Sequence, residues 1–198
     1  MQSLIFSTTL LMGCTLSLGL AVARAIAGSS PPLAQTTQNL AQLPKGVYQF
    51  CSQPEPQGWQ LGEGVCFWFR KQGNAVVGYY GYPHSDRLID CVSGQLQGQK
   101  LSGQALLVGW AGNEWSAQTQ QSTWDDEKYF RFASKASILP VRVGSEQVQL
   151  IRYPRVLLDL SHFYKYGAKK TQQMNPPPTS CDLQTWRKQT QQMGIPPE

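Results

Sequence analysis

The sequence predicts an all-β fold, an antiparallel meander closed or nearly closed into a small barrel and followed by a C-terminal helix. Three observations carry this expectation. From Lys45 onward, short runs rich in Val, Tyr, Phe and Leu alternate with glycine-containing breaks. Two of those breaks, Gly73-Asn74 and Gly98-Gln99, are two-residue reversals that set the register of the strands around them. Glycines also fall inside the strands, at Gly78, Gly94 and Gly103. There they weaken an ordinary sheet but suit one that must bend sharply.

The chain opens with an uncharged, mostly apolar run, "LIFSTTLLMGCTLSLGLAVA", and then Ala25 and Ala27 at the small-residue positions of a cleavage site. Residues 1–27 therefore read as a secretory signal peptide. At about 20 residues the run is also long enough to stay as a membrane anchor if it is not cut. Residues 28–44 are polar, Gln-rich and without an apolar period, which reads as a flexible linker.

Residues 45–166 form the expected β domain. The reversal in "FRKQGNAVVG" pairs Phe69 with Gly78 and Trp68 with Tyr79. That in "QLQGQKL" pairs Gln97 with Lys100, and hence Gly94 with Gly103. A third reversal is expected at Gly112-Asn113, and residues 83–87 make a loop of ordinary hairpin size. Strand alternation places Val65, Phe67, Phe69, Val76, Tyr80, Leu88, Val92, Leu96 and Leu101 on the core face. Cys66, Trp68, Arg70, Tyr79, Ile89 and Cys91 fall on the other. Later strands are expected at residues 116–124, 128–137, 139–144 and 148–152. "RVLLDLSHFYKYG" either continues the sheet or forms a short helix ended by Gly167. Residues 167–179 form a Pro-rich spacer. Residues 180–193 form the C-terminal helix, with Thr179 and Asp182 as a capping box and Leu183, Trp186 and Met193 on one face.

The leader takes Cys14 and leaves four cysteines, an even number that an oxidising compartment would pair. Cys66 and Cys91 share a face, but the intervening strand holds them about 9.5 Å apart, beyond a direct bridge. Cys51, ending "GVYQFC", is better placed against Cys66, which leaves Cys91 for Cys181 as the weaker pair. No cysteines have the C-x-x-C spacing of a zinc site, and the sequence implies no metal or cofactor.

The formal net charge is +5, and residues 128–198 hold 11 basic and 4 acidic residues. A basic half suits an anionic surface, although charges scattered singly favour a solvated one. Export argues against nucleic acid as a partner.

Two clusters invite a chemical reading. His84-Ser85-Asp86 has the residue types of a hydrolytic triad, but such a triad is assembled from separate elements. Three consecutive residues after Pro83 read as a turn. Asp125, Asp126 and Glu127 could approach a hard cation, yet the alternation of a calcium loop is missing, so a solvated charge run that protects a sheet edge is expected. No nucleophile elbow or phosphate-cradling loop is present. The aromatics are more informative. Trp68, Tyr79, Tyr80, Tyr82 and Trp110 cluster around strand ends and are the candidate ligand contacts, while the same residues would serve as core and rim of a small β domain.

"FWFRKQGNAVVGYYGYPHSDRLIDCVSGQL" resembles a pattern of exported proteins of photosynthetic bacteria: an aromatic strand, V-V-G, a Tyr, Pro-x-Ser, a Cys and a Gly. The resemblance covers residues 65–107 and implies export and β structure, with no activity attached. In architecture the expected barrel is lipocalin-like or avidin-like, which does not fix function. The leading expectation is a non-catalytic binding or envelope accessory protein for an apolar small molecule or a protein partner. An envelope-polymer hydrolase with unassigned residues and a structural module at the membrane surface are the alternatives.

Overall fold

The computed structural model describes residues 39–85, 88–109, 124–143, 146–182 and 184. The expected leader, Trp110, the reversal at Gly112-Asn113 and the helical stripe Leu183, Trp186 and Met193 lie outside the described residues.

Nine strands form one sheet: β1 (Gly46–Cys51), β2 (Cys66–Gln72), β3 (Ala75–Gly81), β4 (Leu88–Gln97), β5 (Lys100–Gly109), β6 (Phe130–Phe132), β7 (Ser137–Val143), β8 (Glu146–Asp159) and β9 (Tyr164–Lys165). All pairings are antiparallel, in the order β6-β8-β5-β4-β3-β2-β1-β9, with β7 beside β6 on the outer edge of β8. The sheet curls into a half-barrel whose backbone closure is not complete. Side chains span part of the opening: the Tyr129 and Phe163 rings, from the segments before β6 and β9, meet edge to face at 5.0 Å.

The two reversals sit where the sequence places them. Gly73 and Gly98 have φ of 57° and 64°, and the strands pair Gln72 with Ala75 and Gln97 with Lys100. A glycine with positive φ at the first central position is the type II′ hairpin, whose twist matches that of the flanking strands. From Gly73 outward the ladder brings Phe69 to Gly78 and Trp68 to Tyr79.

The concave face buries Phe50, Phe67, Phe69, Tyr80, Val92, Leu96, Leu101, Phe130, Tyr153 and Phe163 in one continuous core. Phe67 stacks on Phe69 at 4.6 Å and Tyr80 on Phe130 at 4.9 Å, so aromatic rings fill the interior. Each ring removed from water contributes about 2–3 kcal/mol before conformational costs.

Four expectations need correction. The core face was to include Leu88, with Ile89 opposite; a β-bulge between Gly78 and Tyr80 shifts the register, so Tyr80 faces Ile89. The extra residue lies on β4 and flips the alternation, which puts Ile89 in the core and Leu88 on the convex face. The strand expected over residues 148–152 runs on to Asp159; Pro154 is tolerated because a second bulge, between Gly103 and Ala105, leaves it outside the ladder. The end of the supposed linker is packed: Leu40–Gln42 form a 3-10 turn, and Leu40 and Leu43 join the core. Of the two readings open for residues 155–167, continuation of the sheet holds, and the correction falls on the supposed spacer, inside which α1 (Ala168–Gln173) begins.

Lys71 explains why the N-terminal segment stays down. Its side chain is buried at 2% exposure, and Nζ donates to the carbonyls of Ala41 (3.0 Å), Leu43 (2.8 Å) and Gly73. Three carbonyl dipoles replace the water the ammonium gives up, and the chain entering β1 is tied to the β2–β3 turn.

Candidate functional site

At the opposite end of β2 and β3 the molecule opens. The chain between β1 and β2, residues 52–65, folds back over the convex face of the sheet, where Cys51, Cys66, Trp68 and Tyr166 form a second apolar cluster. Tyr166 is its peg: the hydroxyl accepts the Glu63 N–H at 3.1 Å and approaches the Gln53 and Pro54 carbonyls at 3.2 and 3.1 Å. Burial pushes the Tyr166 hydroxyl up to about 12, so it remains a donor. Lys170 Nζ donates to the Gln60 carbonyl at 2.6 Å, and the Gly167 N–H donates to Glu55 at 2.7 Å. From β1, Gln49 Nε2 donates to the Leu61 carbonyl at 2.7 Å. The loop is therefore fixed from several directions.

Between this loop and the β3–β4 turn lies a cleft of about 430 Å³, walled by residues 62–64 on one side and 82–85 on the other. The turn is closed by the Ser85 N–H donating to the Tyr82 carbonyl at 3.2 Å. His84 joins the two walls: its Nε2 accepts the Leu61 N–H at 3.2 Å, which leaves Nδ1 to carry the ring proton. The Trp59 indole sits 5.7 Å from the imidazole and is 78% exposed. Gly62 brings the wall close, since a Cβ there would lie 2.7 Å from Cys66 Sγ and 2.8 Å from Pro83.

The candidate ligand contacts do not gather around one cavity. Trp68 and Tyr79 lie on the convex face with their rings 5.3 Å apart, and Trp68 is buried beside the Cys51–Cys66 disulfide. Tyr80 points into the filled interior, and only Tyr82 among the described candidates borders the cleft. Sequence reasoning missed residues 62–64; the glycine-flanked acid in "LGEGV" was the available signal.

Of the acidic run, Asp126 and Glu127 stay exposed in the turn before the edge strand β6, as expected, whereas Asp125 is half-buried and bonded. Asp125 accepts the Tyr80 hydroxyl at 2.5 Å and the Phe130 N–H at 3.0 Å, and Glu127 accepts the Tyr82 hydroxyl. The turn before β6 thus reaches back to β3. Burial, and then the neighbouring Asp125 carboxylate, raise the Tyr80 hydroxyl far above its ordinary range, so it stays protonated; burial also raises Asp125. Among the described residues no group of three or more metal-ligating side chains converges.

Two disulfides complete the frame. Cys51 bonds Cys66, its direct cross-strand partner, and Cys91 on β4 bonds Cys181, holding the segment after α1 against the sheet. These features define a disulfide-braced antiparallel β half-barrel with a rim cleft. The chain matches no family model, no curated protein and no solved structure.

Proposed function

We propose that the protein is an exported, non-catalytic binding component of a cell envelope, which takes its ligand in the rim cleft and not in the barrel interior. The observation that carries this reading is the contrast between the two spaces. The interior is filled by stacked rings such as Phe67, Phe69, Tyr80 and Phe130. The cleft is open, about 430 Å³ in volume, and of a size that suits a small ligand. Its walls are held by backbone and disulfide contacts, so the site is preformed, which lowers the ordering cost of binding. The two disulfides are compatible with export, since such bonds persist in oxidising compartments.

Native mass spectrometry of the full chain, purified from the envelope of its source, tests the reading. A retained small molecule or partner, lost on His84→Ala, is the expected result. A bare polypeptide mass, with cleft amide resonances unmoved by an envelope extract, overturns it.

A further inference from the structure

Resting on the cleft as the binding site, we propose that its ligand is a neutral oligosaccharide, with one pyranose ring stacked on Trp59 and its hydroxyls bonded within the cleft. The walls disfavour apolar, anionic and strand-adding ligands. An apolar ligand gains little in a space this open, because most of its surface would stay in water. An anion would meet the exposed Glu63 carboxylate, and among the described lining residues no lysine or arginine answers it. An extended peptide adds to a free strand edge; the cleft borders β2 and β3, both already paired on each side. A sugar ring needs a different combination. Its C–H face packs on a flat aromatic surface, and its hydroxyls require donors and acceptors just beyond that surface.

The structure supplies both. Trp59, in the loop between β1 and β2, leaves 78% of its area in water, whereas Trp68 on β2 is buried. Its ring rests against His84, and the loop behind it is tied at the Gly58 and Gln60 carbonyls by Lys170. An indole whose backbone is held on either side and whose ring is uncovered offers a flat face to a ligand. The cleft that His84 borders adds the Glu63 carboxylate as acceptor and the His84 Nδ1–H as donor.

The test is titration of the 15N-labelled full chain with cellohexaose, chitohexaose and maltohexaose, following the Trp59 indole and the Gly62, Gly64 and Ser85 amides. Saturable shifts with at least one are expected, with affinity lowered roughly tenfold or more in Trp59→Ala and partly restored in Trp59→Tyr. Trp59 is exposed, so these variants should fold, and unchanged amide spectra away from the loop would show it. Three failed sugars, or a Trp59→Ala variant that binds as the wild type does, overturn the proposal. A cationic peptide such as trilysine, or an envelope extract, that shifts the same amides when the sugars do not would leave the cleft as the site and remove the saccharide. Silence from all of these would remove both.

Discussion

Gly94 and Gly103 face each other across β4 and β5, and a Cβ on Gly103 would lie 1.9 Å from the Ser93 carbonyl oxygen and 2.6 Å from Gly94 Cα. The two strands touch backbone to backbone. Any side chain at this point would push them apart, so the curl of the sheet around Leu96 and Leu101 depends on there being none.

Gly103→Ala is therefore expected to destabilise the protein by about 3 kcal/mol or more, because the atoms in the way are backbone and cannot turn aside. Gly98→Ala is the control. Its added Cβ meets nothing, and only the positive φ is strained, at about 1 kcal/mol. Urea denaturation of both variants checks the pair. Equal losses would show that the contact does not set the bend.

The same glycines explain what was legible in the sequence. The registers of β2 with β3 and of β4 with β5 follow from the two reversals and simple alternation, because each of these pairs is joined by a two-residue turn. Leu88 and Ile89 were misassigned because one bulged residue inverts every face beyond it, and a bulge leaves no composition signal. Leu40 and Leu43 were lost in a polar stretch, where two apolar residues look incidental until Lys71 binds the carbonyls around them. The cleft was illegible for a related reason. It is made by a loop returning over a distant strand, and its anchors, such as Tyr166 to Glu63, span 103 residues.

Lys71→Met keeps the length of the side chain but leaves the Ala41, Leu43 and Gly73 carbonyls without their shared donor. A loss of about 2–4 kcal/mol is expected. Leu40→Ala, which empties a fully buried position, should cost a similar amount. Both changes release one segment, so the double variant should lose clearly less than the sum of the two. Additive losses in a double-mutant cycle would mean that the segment is not held as a unit.

The disulfides close loops of different length, with sequence separations of 15 and 90 residues. On the chain-entropy model, replacing Cys51 and Cys66 by serine should cost about 3 kcal/mol, and replacing Cys91 and Cys181 about 4.6 kcal/mol. The second pair also holds the segment following α1, so its removal should raise amide exchange after Met174 while the β1–β2 ladder stays protected. Exchange that rises first in β1 and β2 would reverse this assignment.

The burial of Asp90 sets the sign of its contribution to the pH dependence of the fold. Its carboxylate accepts the Val108 N–H at 2.7 Å, yet burial outweighs that bond and pushes the group up to about 6 from an ordinary 3.8. A carboxyl that protonates more easily in the folded than in the unfolded chain adds stability below about pH 3.8, and that contribution is lost as pH rises through about 6. The loss amounts to roughly 2–3 kcal/mol for a shift of this size. Asp125, also raised, acts in the same direction, whereas Asp159 is lowered and acts in the opposite one, so the wild-type profile is a sum. The difference between Asp90→Asn and wild type isolates the single group, because asparagine still accepts from Val108 and cannot ionise. Denaturation at pH 4, 5.5 and 7 should find the variant close to wild type at the lowest pH and increasingly more stable above it. A difference that stays constant across that range, or grows toward acid, would show that Asp90 is not the group that titrates.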